Sequence, residues 1–155
     1  MIDPTLDVCV LMCGCGKSDQ RRFVQSSESI MNAIKDQEDW FLVLDIEGKI
    51  VSEYDRHLRM DENYREWLKI LNHRSKVRRL PMKINRKLKV ALDALHFNTD
   101  DRKYIAVALS SCCKTVLTFA SKSFTKPLCK ELKKRKHGRI CVMNPNEFVH
   151  ENPTI

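Results

Sequence analysis

Short apolar runs alternate with longer amphipathic segments along most of this sequence, and this alternation constrains the fold more than any other feature. Four runs have the length of β-strands, namely 6–12, 40–45, 114–118 and 139–144. The segments between them repeat apolar residues every three or four positions, which is the helical period. Strands that alternate with helices indicate a parallel sheet covered by helices on both faces. We therefore predict an α/β fold, as a three-layer α/β/α sandwich with a central parallel sheet of about four to five strands.

The apolar period also places the helices and one connecting segment. We predict helices over 23–34, 50–58, 61–71 and 84–95, a further helix that Thr99 caps, and a short basic helix at 128–136. Residues 73–83 are basic, include a proline and show weak periodicity, so we interpret them as a connecting loop or lid.

Length and cysteine content limit the class of protein. The chain of 155 residues suits one core, and we predict a single domain over 1–155. No apolar run reaches the roughly 18 residues of a membrane span, and no secretion signal opens the sequence. Seven cysteines, including the adjacent Cys112 and Cys113, do not suit a regular disulfide framework. We therefore expect reduced thiols, a cytoplasmic location and no membrane partner.

Positive charge is concentrated in two segments, 74–89 and 130–139, and the net charge is +8. Such segments favour a polyanionic partner, most often nucleic acid, and solubility alone is the alternative explanation. The candidate nucleic-acid-binding residues are Arg74, Lys76, Arg78, Arg79, Lys83, Lys122 and Lys133.

The stretch "DVCVLMCGCGKSD", residues 7–19, admits three interpretations. A phosphate-binding loop would need glycine at position 11, where Leu11 would block the backbone amides that hold phosphate. A zinc site would use Cys9, Cys13 and Cys15, but their spacing is irregular and no second ligand pair follows at suitable spacing. Buried cysteines that act as small apolar residues are the favoured alternative.

The third interpretation begins with Asp7, an acid inside an apolar run that is costly to bury without a partner. Glu53 and Asp101 could approach the same end of a parallel sheet. Three converging carboxylates would repel one another, and such a cluster is stable mainly as a site for Mg²⁺ or Mn²⁺. The alternative is that Asp101 only begins a helix and Glu53 only lies on the surface.

The order of these motifs resembles that of PIN-domain nucleases over most of the chain. "TLDVCVL" is similar to the first motif, with Asp7 as its acid and Cys9 where many relatives have asparagine. "LVLDIEGKIVSEYDRHL" is similar to the second, with Glu53, and "DDRKYIAVAL" to the third, with Asp101 three residues before Tyr104. "RICVMNPNEFV" is similar to the last strand and its proline-led turn.

The fourth motif departs from the family pattern. After "KTVLT" the family has an acid, and this chain has Ala120, with Ser121 and Ser123 as the nearest hydroxyls. The sequence leaves open whether Ala120 is natural or comes from deliberate inactivation. We expect an impaired site in either case.

The resemblance implies a metal-dependent phosphodiester hydrolase, most often an endoribonuclease and less often a deoxyribonuclease. Asp7, Glu53 and Asp101 would be its catalytic residues and would hold Mg²⁺ or Mn²⁺. The alternative is a catalytically inactive PIN-like module that binds RNA or protein. The resemblance also implies a context in toxin–antitoxin or phage-defence pairs, with a neutralising or effector partner protein, and it is compatible with a homo-oligomer.

Overall fold

The structure is a computed structural model, which describes residues 1–119, 128, 132, 140–153 and 155. Five strands lie in the described chain: β1 (Thr5–Leu6), β2 (Leu42–Asp45), β3 (Val77–Leu80), β4 (Thr115–Leu117) and β5 (Cys141–Met143). The α-helices whose bounds lie within the described ranges are α1 (Val8–Gly14), α2 (Val24–Asp36), α3 (Lys49–Leu58), α4 (Glu62–His73), α5 (Arg86–Ala94), α6 (Arg102–Ala108) and α7 (Pro145–Glu151).

The described strands form two parallel sheets. One has the order β1-β4-β5, and the other pairs β2 with β3. The two sheets meet at an isolated parallel bridge between Ile2 and Trp40, beside which the Phe41 amide donates to the Ile2 carbonyl at 2.9 Å. The α/β class is therefore confirmed, whereas the predicted single sheet is divided into a three-stranded and a two-stranded part.

The core forms where buried strands meet the apolar faces of the helices. Strands β2 and β4 are buried along their whole length, as expected for parallel strands covered on both faces. Helix α3 turns Ile50, Tyr54 and Leu58 inward at the helical period, and α6 packs against β1, β2 and β4. This packing brings the beginnings of α3 and α6 to the edge at which the strands end.

Local capping fixes where these helices begin. Gly48 has a φ of +76°, and this left-handed turn lets the Asp45 carboxylate accept hydrogen bonds from the Lys49 and Ile50 amides at 2.7 and 2.8 Å. Pro145 ends β5 as predicted and also begins α7, which Asn144 and Glu147 cap reciprocally. No described helix is long and apolar enough to cross a membrane.

The strand predicted over residues 6–12 is wrong. Only Thr5–Leu6 is strand, and Asp7 is the N-cap of α1, whose Val8, Val10, Leu11 and Cys13 are buried. An apolar run of this length suits either a buried strand or a buried helix, so its composition alone does not separate the two. Asp7 therefore lies directly after a strand and not within one.

The loop predicted over 73–83 is also wrong, because it contains β3. Val77 pairs with Leu42 and Leu80 pairs with Asp45 in parallel register. The prediction that Thr99 caps the next helix is wrong by two residues, since Asp101 is the N-cap of α6. The basic helix predicted at 128–136 lies outside the described residues except for Leu128 and Leu132, which are buried.

Candidate carboxylate site

Asp7 lies at the point where two neighbouring parallel strands end. Its amide donates to the Leu117 carbonyl at 2.9 Å, so it continues the pairing of β1 with β4. Its carboxylate caps α1 by accepting from the Cys9 amide at 3.5 Å, and the residue is only 6% exposed. The carboxyl ends of parallel strands are where α/β proteins usually bind ligands.

Thr118 follows β4 as Asp7 follows β1, and the two side chains meet. The Thr118 hydroxyl donates to Asp7 Oδ2 at 2.6 Å, and its oxygen lies 3.6 Å from Cys9 Sγ. Burial raises the pKa of the Cys9 thiol to about 12, so this thiol stays neutral at physiological pH. The pair formed by Thr118 and Cys9 orients the Asp7 carboxylate but brings no positive charge to it.

The electrostatic environment of Asp7 penalises its ionised form. Burial raises the pKa of this carboxyl, the hydrogen bond from Thr118 opposes that rise in part, and the negative charge of Asp101 raises the pKa further. The effect of Asp101 means that folding brings two acids far apart in sequence within electrostatic reach of each other. A cation between them would relieve the repulsion.

Glu53 lies in the second turn of α3 and has partners of its own. Its Oε2 accepts a hydrogen bond from the Tyr104 hydroxyl at 2.9 Å. The same oxygen forms an ion pair with Lys103 Nζ at 2.5 Å. Lys103 also donates to the Asp100 carbonyl and lies 4.9 Å from the centre of the Tyr104 ring. The ammonium group of Lys103 therefore neutralises Glu53 within the protein itself.

Two buried tyrosines connect the acids. The Tyr54 hydroxyl donates to the Leu6 carbonyl, next to Asp7 in the chain, and Tyr104 donates to Glu53. Burial raises the pKa of both phenols far above the ordinary value, and the charges of Asp7 and Glu53 add to the rise. Both phenols therefore act as neutral hydrogen-bond donors that fix the backbone and the Glu53 side chain.

The three predicted acids fit a divalent ion only in part. Their carboxylate oxygens are the ligands that Mg²⁺ and Mn²⁺ prefer, and Asp7 and Asp101 are electrostatically coupled. Glu53 fits less well, because Lys103 pairs with its Oε2 and already balances its charge. Within the described ranges, no group of three or more His, Cys, Asp and Glu side chains is arranged to share a metal.

Several predicted site residues lie outside the part of the chain that the structure describes. These are Ala120, at the position of the fourth acid, and the cations Lys122 and Lys133.

Three cations of the predicted basic segment 74–89 are already bound within the protein. Arg74 pairs with Asp36 at 3.2 Å and donates to the Lys35 carbonyl, and Lys76 donates to the carbonyls of Gln37 and Glu38. Arg78 forms an ion pair with the buried Asp3, whereas Arg79 and Lys83 are exposed. Nucleic-acid binding by this segment stays a prediction.

The motif Gly16-Lys17-Ser18 lies in a turn after α1. Gly16 has a φ of +70°, and Lys17 pairs with Asp61 at 3.4 Å. The motif therefore follows a helix, whereas a phosphate-binding loop follows a strand. Cys13 and Cys15 are buried at and near the end of α1.

Sequence reasoning missed Lys103, Tyr104 and Thr118 as members of the site. Thr118 carried a signal, because it is a polar residue directly after a buried strand that neighbours β1. Lys103 and Tyr104 carried none, since their pairing with Glu53 depends on how α6 packs against α3.

Neither the protein-family models nor the curated proteins compared with this sequence match it. The resemblance to PIN-domain nucleases therefore depends on the order of its motifs and stays a prediction.

Proposed function

We propose that the protein is a metal-dependent phosphodiester hydrolase that acts on RNA. The observation that supports this most is the state of Asp7, which is buried at the ends of β1 and β4 and repelled by the charge of Asp101. Carboxylates with perturbed pKa values at such an edge are typical of functional sites. A three-layer PIN-like sandwich is the form of the α/β fold that this proposal assumes.

In this proposal Asp7 and Asp101 would hold Mg²⁺ or Mn²⁺, and Glu53 would be available to the same ion only if its ion pair with Lys103 opened. A divalent ion bound there would acidify a water molecule and stabilise negative charge on the phosphate. Thr118 keeps Asp7 oriented through its 2.6 Å hydrogen bond. Lys103, once released from Glu53, presents its ammonium to the phosphate from the same side.

Ala120 stands where the fourth acid is expected. We therefore expect this chain to bind RNA and metal but to cleave RNA weakly or not at all. The test is Ala120→Asp, which adds a carboxylate at that position. We expect Mg²⁺- or Mn²⁺-dependent cleavage of RNA to appear or to rise by about 10²-fold, a typical contribution of one positioned acid–base group. Cleavage is measured on single-stranded and structured RNA, with DNA as a second substrate.

Two controls make this experiment decisive. Ala120→Asn adds nearly the same volume without the charge and should leave cleavage unchanged. Asp7→Asn in the Ala120→Asp background should abolish the gain. A folded Ala120→Asp protein that cleaves none of the RNA or DNA substrates would argue strongly against the hydrolase.

A catalytically inactive module that binds RNA or protein is the second candidate, and the ion pair of Lys103 with Glu53 favours it. A module of this kind needs no metal at its acids. RNA binding that depends on salt but neither on a chelator nor on Asp7→Asn would support it.

If the nuclease belongs to a toxin–antitoxin or phage-defence pair, growth arrest by the Ala120→Asp variant would be relieved by a neutralising partner.

A further inference from the structure

A cleft of about 600 Å³ lies beside the carboxylate site, between α3, α5 and the beginning of α6. Its lining includes five cationic and three acidic side chains, among which is Glu53. The cleft therefore opens next to the proposed site and carries a net positive charge. Its volume is in the range of pockets that hold small ligands.

Two of the five cations are bound within the protein. Arg102 pairs with Asp93 at 2.6 Å and donates to the Phe97 carbonyl at 3.0 Å. Lys103 pairs with Glu53. These two side chains shape the cleft wall, and their charges are largely balanced.

The other three cations are Lys49, Arg56 and Lys89, and all three are exposed. None of them forms an ion pair with another described residue. Lys49 and Arg56 are seven residues apart on α3 and so share the face that carries Glu53, about 10 Å from one to the other along the axis. Lys89 comes from α5.

The apolar part of the cleft adds a second kind of contact. Met82 and Ile84 line it and are only partly buried. An unpaired base can cover such side chains, whereas the bases of a duplex are stacked away from them.

We propose that Lys49, Arg56 and Lys89 bind the phosphate backbone of single-stranded RNA and lead it to the carboxylate site. This inference rests on the proposed function and names its substrate-binding surface. It shares Lys89 with the predicted basic segment 74–89, and it adds Lys49 and Arg56 from α3 in place of Arg74, Lys76 and Arg78, which already have partners.

The test measures binding without cleavage. The variant Lys49→Gln/Arg56→Gln/Lys89→Gln is titrated with a fluorescein-labelled oligouridine of about 12 nucleotides, a length that one groove can cover. Fluorescence anisotropy is followed in EDTA over a series of salt concentrations. We expect affinity at low salt to fall about tenfold or more, and the slope of log Kd against log salt to fall by about 2, or roughly 0.7 per lost phosphate contact.

The matched control is Arg59→Gln/Arg65→Gln/Lys69→Gln, which removes the same charge from exposed positions outside the cleft. Its affinity and salt slope should stay close to those of the unmodified protein. Circular dichroism checks that both variants are folded.

Three results would overturn the inference. The first is equal loss in the two triple variants, which would show an effect of net charge alone. The second is a larger loss in Arg79→Gln/Lys83→Gln than in the cleft variant. The third is equal binding of duplex RNA and the single strand. Because no metal is present, each of these results is independent of whether the Ala120→Asp protein cleaves RNA.

Discussion

Two buried aspartates, Asp3 and Asp7, lie on either side of β1 and differ in how their charges are balanced. Asp3 is fully buried, and it accepts hydrogen bonds from the Cys112 and Cys113 amides at 3.0 and 2.8 Å. It also forms an ion pair with Arg78. Asp7 is nearly as buried, but it has a hydroxyl partner and a repelling acid. The comparison shows that burial of an acid does not indicate function unless its charge is left without balance.

The balanced aspartate connects distant parts of the fold. Arg78 lies on β3, and the two amides precede β4, so Asp3 joins both sheets at the beginning of the chain. The unbalanced aspartate makes no such connection with a cation among the described residues. Its burial costs stability, which is a common feature of sites that bind a charged ligand.

The largest expected effect comes from breaking the balanced pair. Arg78→Met should lower the free energy of unfolding by about 3 kcal/mol, the lower end for a broken buried pair, because the Arg78 side chain is 28% exposed. Urea unfolding measures this change. Arg79→Met, at the exposed neighbour, is the control and should change stability by about 0.5 kcal/mol or less. Similar losses in the two variants would contradict the role assigned to Asp3.

Removing the charge of Asp7, the unbalanced acid, should raise stability. Asp7→Asn keeps a side chain that can cap α1 and removes the buried charge, so it should raise Tm at neutral pH by a few degrees. Asp61→Asn is the matched N-cap control. Asp61 pairs with Lys17, and its loss of charge should leave Tm unchanged or lower.

The gain in Asp7→Asn should depend on pH. Because folding raises the pKa of Asp7 above its ordinary value of 3.8, the folded protein binds this proton more tightly than the unfolded chain. The acid therefore costs no stability below that ordinary value, and its cost grows as pH rises through the raised pKa. Thermal unfolding of both proteins from acidic to neutral pH measures the difference. A gain that is independent of pH, or a lower Tm at neutral pH, would contradict this explanation.

Sequence patterns predicted the parts of the fold that local physics determines. Helices α2, α3 and α4 follow from their apolar faces, and β2, β4 and β5 follow from short apolar runs. Strand β3 was missed because Arg78 and Arg79 are adjacent between Val77 and Leu80, so the segment shows no apolar alternation and resembles a basic loop. Whether Arg78 would meet Asp3 depends on sheet pairing, which no local pattern contains.

The candidate site was predictable to a similar depth. Asp7, Glu53 and Asp101 could be chosen as acids near strand and helix ends. Whether each of their charges is balanced could not be predicted from the sequence. Lys103 neutralises Glu53, and Asp101 repels Asp7, only after α6 packs beside β1 and α3. Thus, whether the charge of a given acid is balanced is a property of the tertiary structure.

Binding of Mn²⁺ to Asp7 tests the central claim most directly. Electron paramagnetic resonance measures free Mn²⁺ while the ion is titrated into the unmodified protein, Asp7→Asn and Asp100→Asn. The Asp100→Asn variant is the control, because Asp100 is exposed. We expect the unmodified protein and Asp100→Asn to bind one Mn²⁺ ion with the same affinity. The affinity of Asp7→Asn for Mn²⁺ should be lower by more than about tenfold, since even changes to residues that only support a metal ligand can lower affinity that much. Equal Mn²⁺ affinity in Asp7→Asn and the unmodified protein, or no binding by either, would contradict the claim that the unbalanced charge of Asp7 is there to hold a cation.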